Sequence, residues 1–353
     1  MKKIEYKLFK KKLNKKNFLS DYKKIISIKN NASDIINSWK LEYKNSFSPQ
    51  TLNSFKNNKN LRIIGMGGST LGSKAIYDFL NHKIKKKFVF IDNIVPGKKF
   101  NKKNKNINLI ISKSGNTLET IVNTNLYVQK KDKNLVITEN SQSLITQIAK
   151  QLKCEIIDHN KFIGGRYSVL SETGMLPAYL MGLNPKKFKV FNNLINNKKF
   201  INNLVSNVSS MFYLIKKNYI NSIILNYDEK SDSFLKWYQQ LISESLGKNN
   251  KGILPVISPM PKDNHSLLQY YLDGPKKSFF TIFNVNNNAS QKIKRFKLSK
   301  PFNKLSKFSS TKIHYSQMKA LESIFEKKKF HTGLLIYLKE TKQQWESFFV
   351  SLC

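Results

Sequence analysis

Ile107-Asn108-Leu109-Ile110-Ile111-Ser112-Lys113-Ser114-Gly115-Asn116-Thr117-Leu118-Glu119-Thr120-Ile121-Val122 reads as a strand, a hydroxyl-rich loop and the start of a helix. The apolar run is short and is followed at once by residues that turn the chain. Three side-chain hydroxyls, a glycine that admits a ligand to the main chain and the N–H groups of a new helix together suit a phosphate group. An ordinary helix cap needs only one hydroxyl, and here Ser112, Ser114 and Thr117 are all present.

The same rhythm extends outward. Leu61-Arg62-Ile63-Ile64, Phe88-Val89-Phe90-Ile91 and Leu135-Val136-Ile137 are further short apolar runs, with amphipathic stretches between them. That alternation predicts a parallel sheet with helices on both faces, which binds its ligands beyond the carboxyl ends of the strands. A second series runs through Ser222-Ile223-Ile224-Leu225, Ile253-Leu254, Ser278 to Phe283 and Gly333 to Tyr337. The reading is therefore α/β, with a charged helical N-terminal arm over residues 1–55, a first domain over 56–190 and a second over 191–353. Asn286 to Lys312 is polar and basic and reads as a surface loop.

Of 353 residues, 40% are hydrophobic, so two domains with cores of their own fit the length. The net charge is +40, from 62 Lys plus Arg against 22 Asp plus Glu. Such a balance raises the question of a polyanionic partner. The lysines are spread over the whole chain, as in Lys10-Lys11-Lys12 and Lys85-Lys86-Lys87, with no aromatic-interleaved basic block. A chain-wide compositional bias explains them better than nucleic-acid or membrane binding. Cys154 and Cys353 are the two cysteines, too few for a disulfide framework or a cysteine metal site. No apolar segment has the length of a secretory or membrane-spanning one. A soluble, cytoplasmic protein is expected.

Gly65-Met66-Gly67-Gly68-Ser69-Thr70-Leu71-Gly72 follows the first strand, but its spacing departs from Gly-x-Gly-x-x-Gly, which argues against a nicotinamide cofactor. Three more segments each hold one residue suited to charge or proton work. Arg166 lies in Gly164-Gly165-Arg166-Tyr167-Ser168, where its fixed cation suits a developing oxyanion and equally a structural salt bridge. Glu244 ends an amphipathic helix over Phe234 to Ser243, where a solvent-facing glutamate is the common outcome. His265, in Asn264-His265-Ser266-Leu267-Leu268-Gln269, has the plain alternative of a loop histidine.

Taken in order, Gly-x-Gly-Gly-Ser, Ser-Lys-Ser-Gly-Asn-Thr-x-Glu-Thr, Gly-Gly-Arg-Tyr-Ser-Val-x-Ser, Gln-x-x-x-Glu-Ser-x-Gly-Lys and His-Ser-x-x-Gln resemble the glucose-6-phosphate isomerase family, over roughly residues 60 to 285. Gln269 to Pro275 also looks like its compact bacterial members. The resemblance implies two sugar-isomerase (SIS) domains, each a parallel sheet flanked by helices, in a homodimer with shared active sites. It implies a hexose 6-phosphate substrate, the interconversion of glucose 6-phosphate and fructose 6-phosphate in glycolysis and gluconeogenesis, and no metal or organic cofactor. By the family pattern Ser112, Lys113, Ser114 and Thr117 hold the phosphate, Gly68 and Ser69 add sugar contacts, and Gln240 lies near the substrate. Glu244 matches the base that moves the proton, Arg166 the stabiliser of the enediolate, and His265 the ring-opening residue, reaching in from the neighbouring subunit.

One departure stands out. The family ends in a helix introduced by Asp-Gln-Pro or Asp-Gln-Trp and bearing a substrate-contacting lysine, whereas no Asp-Gln pair follows residue 300 here and the chain stops at Trp345 to Cys353. Lys339 and Lys342 do not sit in that motif. The expectation is a C-terminally truncated chain with its final helix incomplete. A non-catalytic sugar-phosphate-binding protein and a related isomerase acting on mannose 6-phosphate are the alternative readings.

Overall fold

The structure is a computed structural model that describes residues 4–7, 19–20, 22–24, 27, 33–50, 52, 55, 60–97, 106–286, 291–292 and 302–338. Its strands are β1 (Ile4–Lys7), β2 (Asn60–Ile64), β3 (Lys87–Ile91), β4 (Ile107–Ile111), β5 (Lys133–Thr138), β6 (Glu155–Asp158), β7 (Asn221–Asn226), β8 (Leu254–Pro259), β9 (Ser278–Asn286) and β10 (Thr332–Leu338). They form two five-stranded sheets in two compact units. Among the described residues one unit is built from Ile26–Asn196 with Ser233–Leu241, the other from Asn197–Asp232 and Ile242–Gln344 with the N-terminal strand.

In the first unit the order is β3-β2-β4-β5-β6, parallel throughout. All five residues of β4 are buried, as expected of a central parallel strand covered on both faces. On one face Ile64, Ile110 and Val136 from neighbouring strands meet Tyr127 of the helix Leu118–Tyr127 and Ile145 and Ala149 of the helix Leu144–Leu152. The second of these helices begins on a Ser-x-x-Thr box: Ser143 Oγ accepts from the Thr146 N–H at 3.3 Å, and Thr146 Oγ1 accepts from the Ser143 N–H at 2.9 Å. Ser233–Leu241, which sequence division places in the second domain, packs in this unit, where Phe234 faces Phe79 with ring centroids 6.3 Å apart.

The second unit has the order β8-β7-β9-β10-β1. Adjacent residues of a strand point to opposite faces, and β9 uses both. Phe280 joins Ile223, Leu225, Ile282, Met318, Leu321 and Phe325 beneath the helix Ser310–Lys327, whereas Phe279 meets Leu214 of the helix Lys198–Lys216 and Ile253. The α/β reading with helices flanking two sheets therefore holds.

Two expectations change. The N-terminal arm is not wholly helical: Ile4–Lys7 is a strand that pairs antiparallel with β10, so the second sheet is mixed. An edge strand needs only one backbone partner, and the alternating Ile-Glu-Tyr-Lys pattern was masked by the surrounding lysines. The polar stretch Asn286 to Lys312 is not loop throughout, because the helix Ser310–Lys327 starts within it, with Ser309 Oγ accepting from the Lys312 N–H at 3.3 Å. Residues 287–290 and 293–301, most of residues 1–32 and the terminal helix expected over 345–353 lie outside the described residues.

Candidate functional site

The strand order of the first unit reverses at β2, which has β3 on one side and β4 on the other. The carboxyl ends of two such strands flank the crevice where open α/β sheets bind ligands. Gly65 to Ser69 leaves the end of β2 and Ser112 to Thr117 leaves the end of β4, so topology alone brings together the two loops singled out by sequence. They are in contact: a Cβ added at Gly65 would stand 2.8 Å from the Ile111 carbonyl oxygen.

The β4 loop is shaped by Gly115, whose φ of +68° is a left-handed conformation and whose Cα faces Ser143 so closely that a Cβ would stand 2.1 Å from Ser143 Oγ. The loop hydroxyls do not serve as a helix cap. Thr117 occupies the N-cap position without any side-chain capping bond, and its Oγ1 accepts instead from Ser112 Oγ at 3.2 Å. The first-turn N–H groups of a helix have no intrahelical acceptor, which leaves the start of the helix Leu118–Tyr127 facing the loop as an anion-attracting end. Ser112 is buried, Thr117 half-buried and Ser114 exposed. The Lys113 ammonium donates to the Lys161 carbonyl at 2.7 Å and lies 3.4 Å from Glu139 Oε1.

The β2 loop forms a tight turn, Gly67–Ser69. Gly68 lies directly on the Gly165–Arg166 peptide: a Cβ there would stand 2.4 Å from both Gly165 C and O, and 2.8 Å from Arg166 N. Gln240 arrives beside Gly67, with Nε2 3.0 Å from where a Cβ of that residue would be. Arg166 sits in the turn Gly165–Leu170, half-buried, with its guanidinium carbon 4.6 Å from the centroid of Tyr167. Thus Gly68, Ser69, Arg166 and Gln240 gather at one end of the first sheet with the Ser112 to Thr117 loop.

Behind the arginine turn lies a buried polar group. Glu172 accepts from Tyr43 Oη at 2.9 Å and from the Ser46 N–H at 3.2 Å, while Lys189 Nζ donates to the carbonyls of Leu170 and Ser38. Burial pulls the Lys189 ammonium down to about 8, with Glu172 opposing the shift, and pushes the Tyr43 hydroxyl up. Burial also lowers His159, whose Nδ1 lies 2.9 Å from the Asn160 carbonyl oxygen.

Glu244 follows Gln240 by one turn on the helix Asp232–Leu246, and its side chain is exposed. His265 ends the turn Lys262–His265 in the second unit and is exposed too. That turn is held by Asp263, which accepts from Ser258 Oγ at 2.7 Å and from Ser266 Oγ at 2.9 Å. Sequence reasoning missed Trp237, whose indole N–H donates to the Arg166 carbonyl at 3.1 Å. A tryptophan three residues before Gln240, on the apolar stripe of that helix, was the available signal. Among the described residues no group of His, Cys, Asp and Glu is arranged to hold a metal ion, and no helix is long and apolar enough to cross a membrane.

The geometry can be set against known proteins. The family model for phosphoglucose isomerase matches residues 10–253. A glucose-6-phosphate isomerase of Methanocaldococcus jannaschii is 36% identical over 249 residues, covering 66% of this chain and 61% of that protein. One from Campylobacter jejuni is 32% identical over 254 residues, covering 65% and 61%. The chain thus spans about three fifths of the length of the curated relatives it matches. Among solved structures, a glucose-6-phosphate isomerase from Chlamydia trachomatis has the same fold, with a TM-score of 0.69 at 15% identity over 99% of this chain and 82% of that one. By the extent of that family match, over the loops that build the crevice, the chain belongs to the phosphoglucose isomerase family.

Proposed function

We propose that this protein interconverts glucose 6-phosphate and fructose 6-phosphate through a cis-enediol. The observation that carries the reading is the gathering of a hydroxyl-rich anion loop, a glycine turn, Arg166 and Gln240 at one switch point. The names of the relatives from Methanocaldococcus jannaschii and Campylobacter jejuni support it. Ser112, Lys113, Ser114 and Thr117 cradle the phosphate at the inert end of the sugar, so that remote binding energy sets the position of the reacting carbons. Gly68 and Ser69 contact the sugar and Gln240 borders it.

His265 opens the ring by moving protons between the C1 hydroxyl and the ring oxygen. Glu244 then takes the proton from C2 of the open aldose and returns it to C1, while the hydroxyl proton passes from O2 to O1. Carbon and electron counts are unchanged. Arg166 balances the charge that grows on the enediolate oxygens. In this reading two copies of the chain share their active sites, with His265 acting in the other copy's crevice, and the protein works in the cytoplasm without a cofactor.

A coupled assay on the purified protein tests the proposal, with mannose 6-phosphate alongside to gauge selectivity. Glu244→Gln is expected to lower kcat about 10³-fold, and unchanged turnover removes Glu244 from the role of base. The exposure of both Glu244 and His265 favours one second reading, a sugar-phosphate binder without turnover. Saturable binding of fructose 6-phosphate by a wild-type chain with no isomerase activity would select it.

A further inference from the structure

The main chain is held on both sides of the Arg166 Cα, at the Gly165–Arg166 peptide and at the Arg166 carbonyl. Gly68 closes one side, since even a methyl group at that position would overlap Gly165. Trp237 closes another: it is 2% exposed, and its Nε1–H donates to the Arg166 carbonyl oxygen at 3.1 Å. Its ring is fixed in turn, because Phe234 packs against it with centroids 5.9 Å apart and Phe79 packs against Phe234 at 6.3 Å. One residue before Phe234 on the same helix, Ser233 Oγ donates to Asp78 Oδ2 on the helix Leu71–Phe79, which starts from the glycine turn.

A buried indole N–H is costly to leave without its acceptor, and an aromatic cage leaves the ring little freedom to find another. Residues three apart on a helix share a face, and Gln240, three beyond Trp237, meets Gly67. The helix therefore touches the arginine turn and the glycine turn through one stripe. With the peptide before it and the carbonyl after it both fixed, the Arg166 Cα is fixed too, and with it the direction in which the Cα–Cβ bond carries the side chain.

We propose that Trp237 is a positioning residue for Arg166, its indole N–H fixing the arginine turn against the helical segment that carries Gln240. The inference rests on the isomerase reading for its effect on turnover, but the hydrogen bond is testable without it. It assigns Trp237 no contact with substrate, so removal of the N–H should lower kcat and spare KM.

The experiment compares the full chain with Trp237→Phe and with a variant carrying benzothienylalanine at 237, which keeps the bicyclic shape and deletes only the N–H. A 7-azatryptophan variant restores the donor. Two readouts are taken: hydrogen exchange of residues 164–171, and kcat and KM for fructose 6-phosphate. Loss of one such bond is expected to speed exchange in that segment about tenfold and lower kcat about tenfold, with KM within about twofold. The azatryptophan variant should return both to wild type. If Trp237→Phe fails to fold, the benzothienylalanine variant decides. Unchanged exchange at 164–171 in that variant overturns the proposal, as does a kcat equal to wild type or a loss confined to KM. A wild-type chain with no turnover removes the isomerase reading instead, and the exchange result then stands as the test of the hydrogen bond alone.

Discussion

The first four strands of the two sheets follow the same order, β3-β2-β4-β5 in one unit and β8-β7-β9-β10 in the other, with β6 and the antiparallel β1 as the fifth, yet the residues after β2 and β4 differ in kind from those after β7. After β2 and β4 come glycines and hydroxyls, and the helix Leu118–Tyr127 begins with no side-chain cap. β7 ends on Asn226 and is followed by Tyr227, Asp228, Glu229, Lys230, Ser231 and Asp232, of which Asp228, Ser231 and Asp232 join Asn226 in a hydrogen-bonded cluster. Asn226 Nδ2 donates to Asp232 Oδ1 at 2.6 Å and to the Asp228 carbonyl at 3.0 Å, and Ser231 Oγ donates to Asp228 Oδ2. Both helices begin without a side-chain cap and with one acidic residue in the first turn, Glu119 in one and Asp232 in the other, so the contrast lies in the loops that precede them. One strand order thus serves both sheets, and what distinguishes their ends is the side-chain chemistry of the loops.

Gly68→Ala should break the crevice of the first unit most completely. The added methyl meets main-chain atoms on Gly165 and Arg166, which cannot rotate away as a side chain would. A shift of about 1 Å in the arginine turn costs on the order of 10²-fold or more in turnover, measured in the coupled assay. Activity near wild type would mean that the close approach of the two turns does not matter. Next, Ser114→Asp makes the loop after β4 resemble the one after β7. An exposed carboxylate facing a phosphate should raise KM about 10²-fold. The reciprocal change, Asp232→Asn in the second unit, should leave kcat and KM within about twofold of wild type, and a large effect there would show that the two loops are not functionally separate.

The parallel strands were legible because burial on both faces writes itself as mostly apolar runs, as in Leu61 to Ile64 and Ile107 to Ile111, each broken by one polar residue, Arg62 and Asn108. The edge strands β6 and β1 were not. In β6 only Ile157 of Glu155-Ile156-Ile157-Asp158 is buried, so no run of that kind exists, and β1 is short and lies in lysine-rich sequence. The two crevice loops were legible as motifs and their adjacency follows from strand order. Contacts that cross long stretches of sequence were hidden: Lys113 was expected to hold phosphate, but nothing local reveals that its ammonium also reaches the Lys161 carbonyl, 48 residues away. Trp237 was hidden differently, since an aromatic on an apolar helical stripe looks like core and here is core with one polar duty.

A third test uses the charge buried behind the arginine turn. Lys189 has a folded-state value near 8 against 10.5 for a free lysine, chiefly through burial, with Glu172 pulling the other way. For a lysine lowered in this way the cost of holding the cation inside is fully present below pH 8 and is relieved as pH rises from 8 to 10.5. Relative to Lys189→Met, the wild-type chain should gain a few kcal/mol over that window, read as the difference between urea midpoints at the two ends. A difference that stays flat would mean that the Lys189 ammonium is not held at a cost.

The smallest effects separate binding from capping within the first unit. Two residues sit at helix starts about one loop apart, and only one is a cap: Ser143 takes part in a reciprocal box with Thr146, whereas Thr117 makes no capping bond. Ser143→Ala should therefore cost about 1 kcal/mol of stability, seen in urea denaturation. Thr117→Ala removes the acceptor of a 3.2 Å bond from Ser112 Oγ but no cap, so its stability change should stay within about 0.5 kcal/mol. Its effect belongs to the ligand instead. Loss of one hydroxyl from a phosphate cradle should raise KM for fructose 6-phosphate about fivefold with kcat nearly unchanged, since binding at the inert end of the sugar is felt equally in the ground and transition states. If Thr117→Ala destabilised the chain as Ser143→Ala does and left KM alone, the hydroxyl would be a cap after all, and the difference between the two units would rest on Ser112 and Ser114.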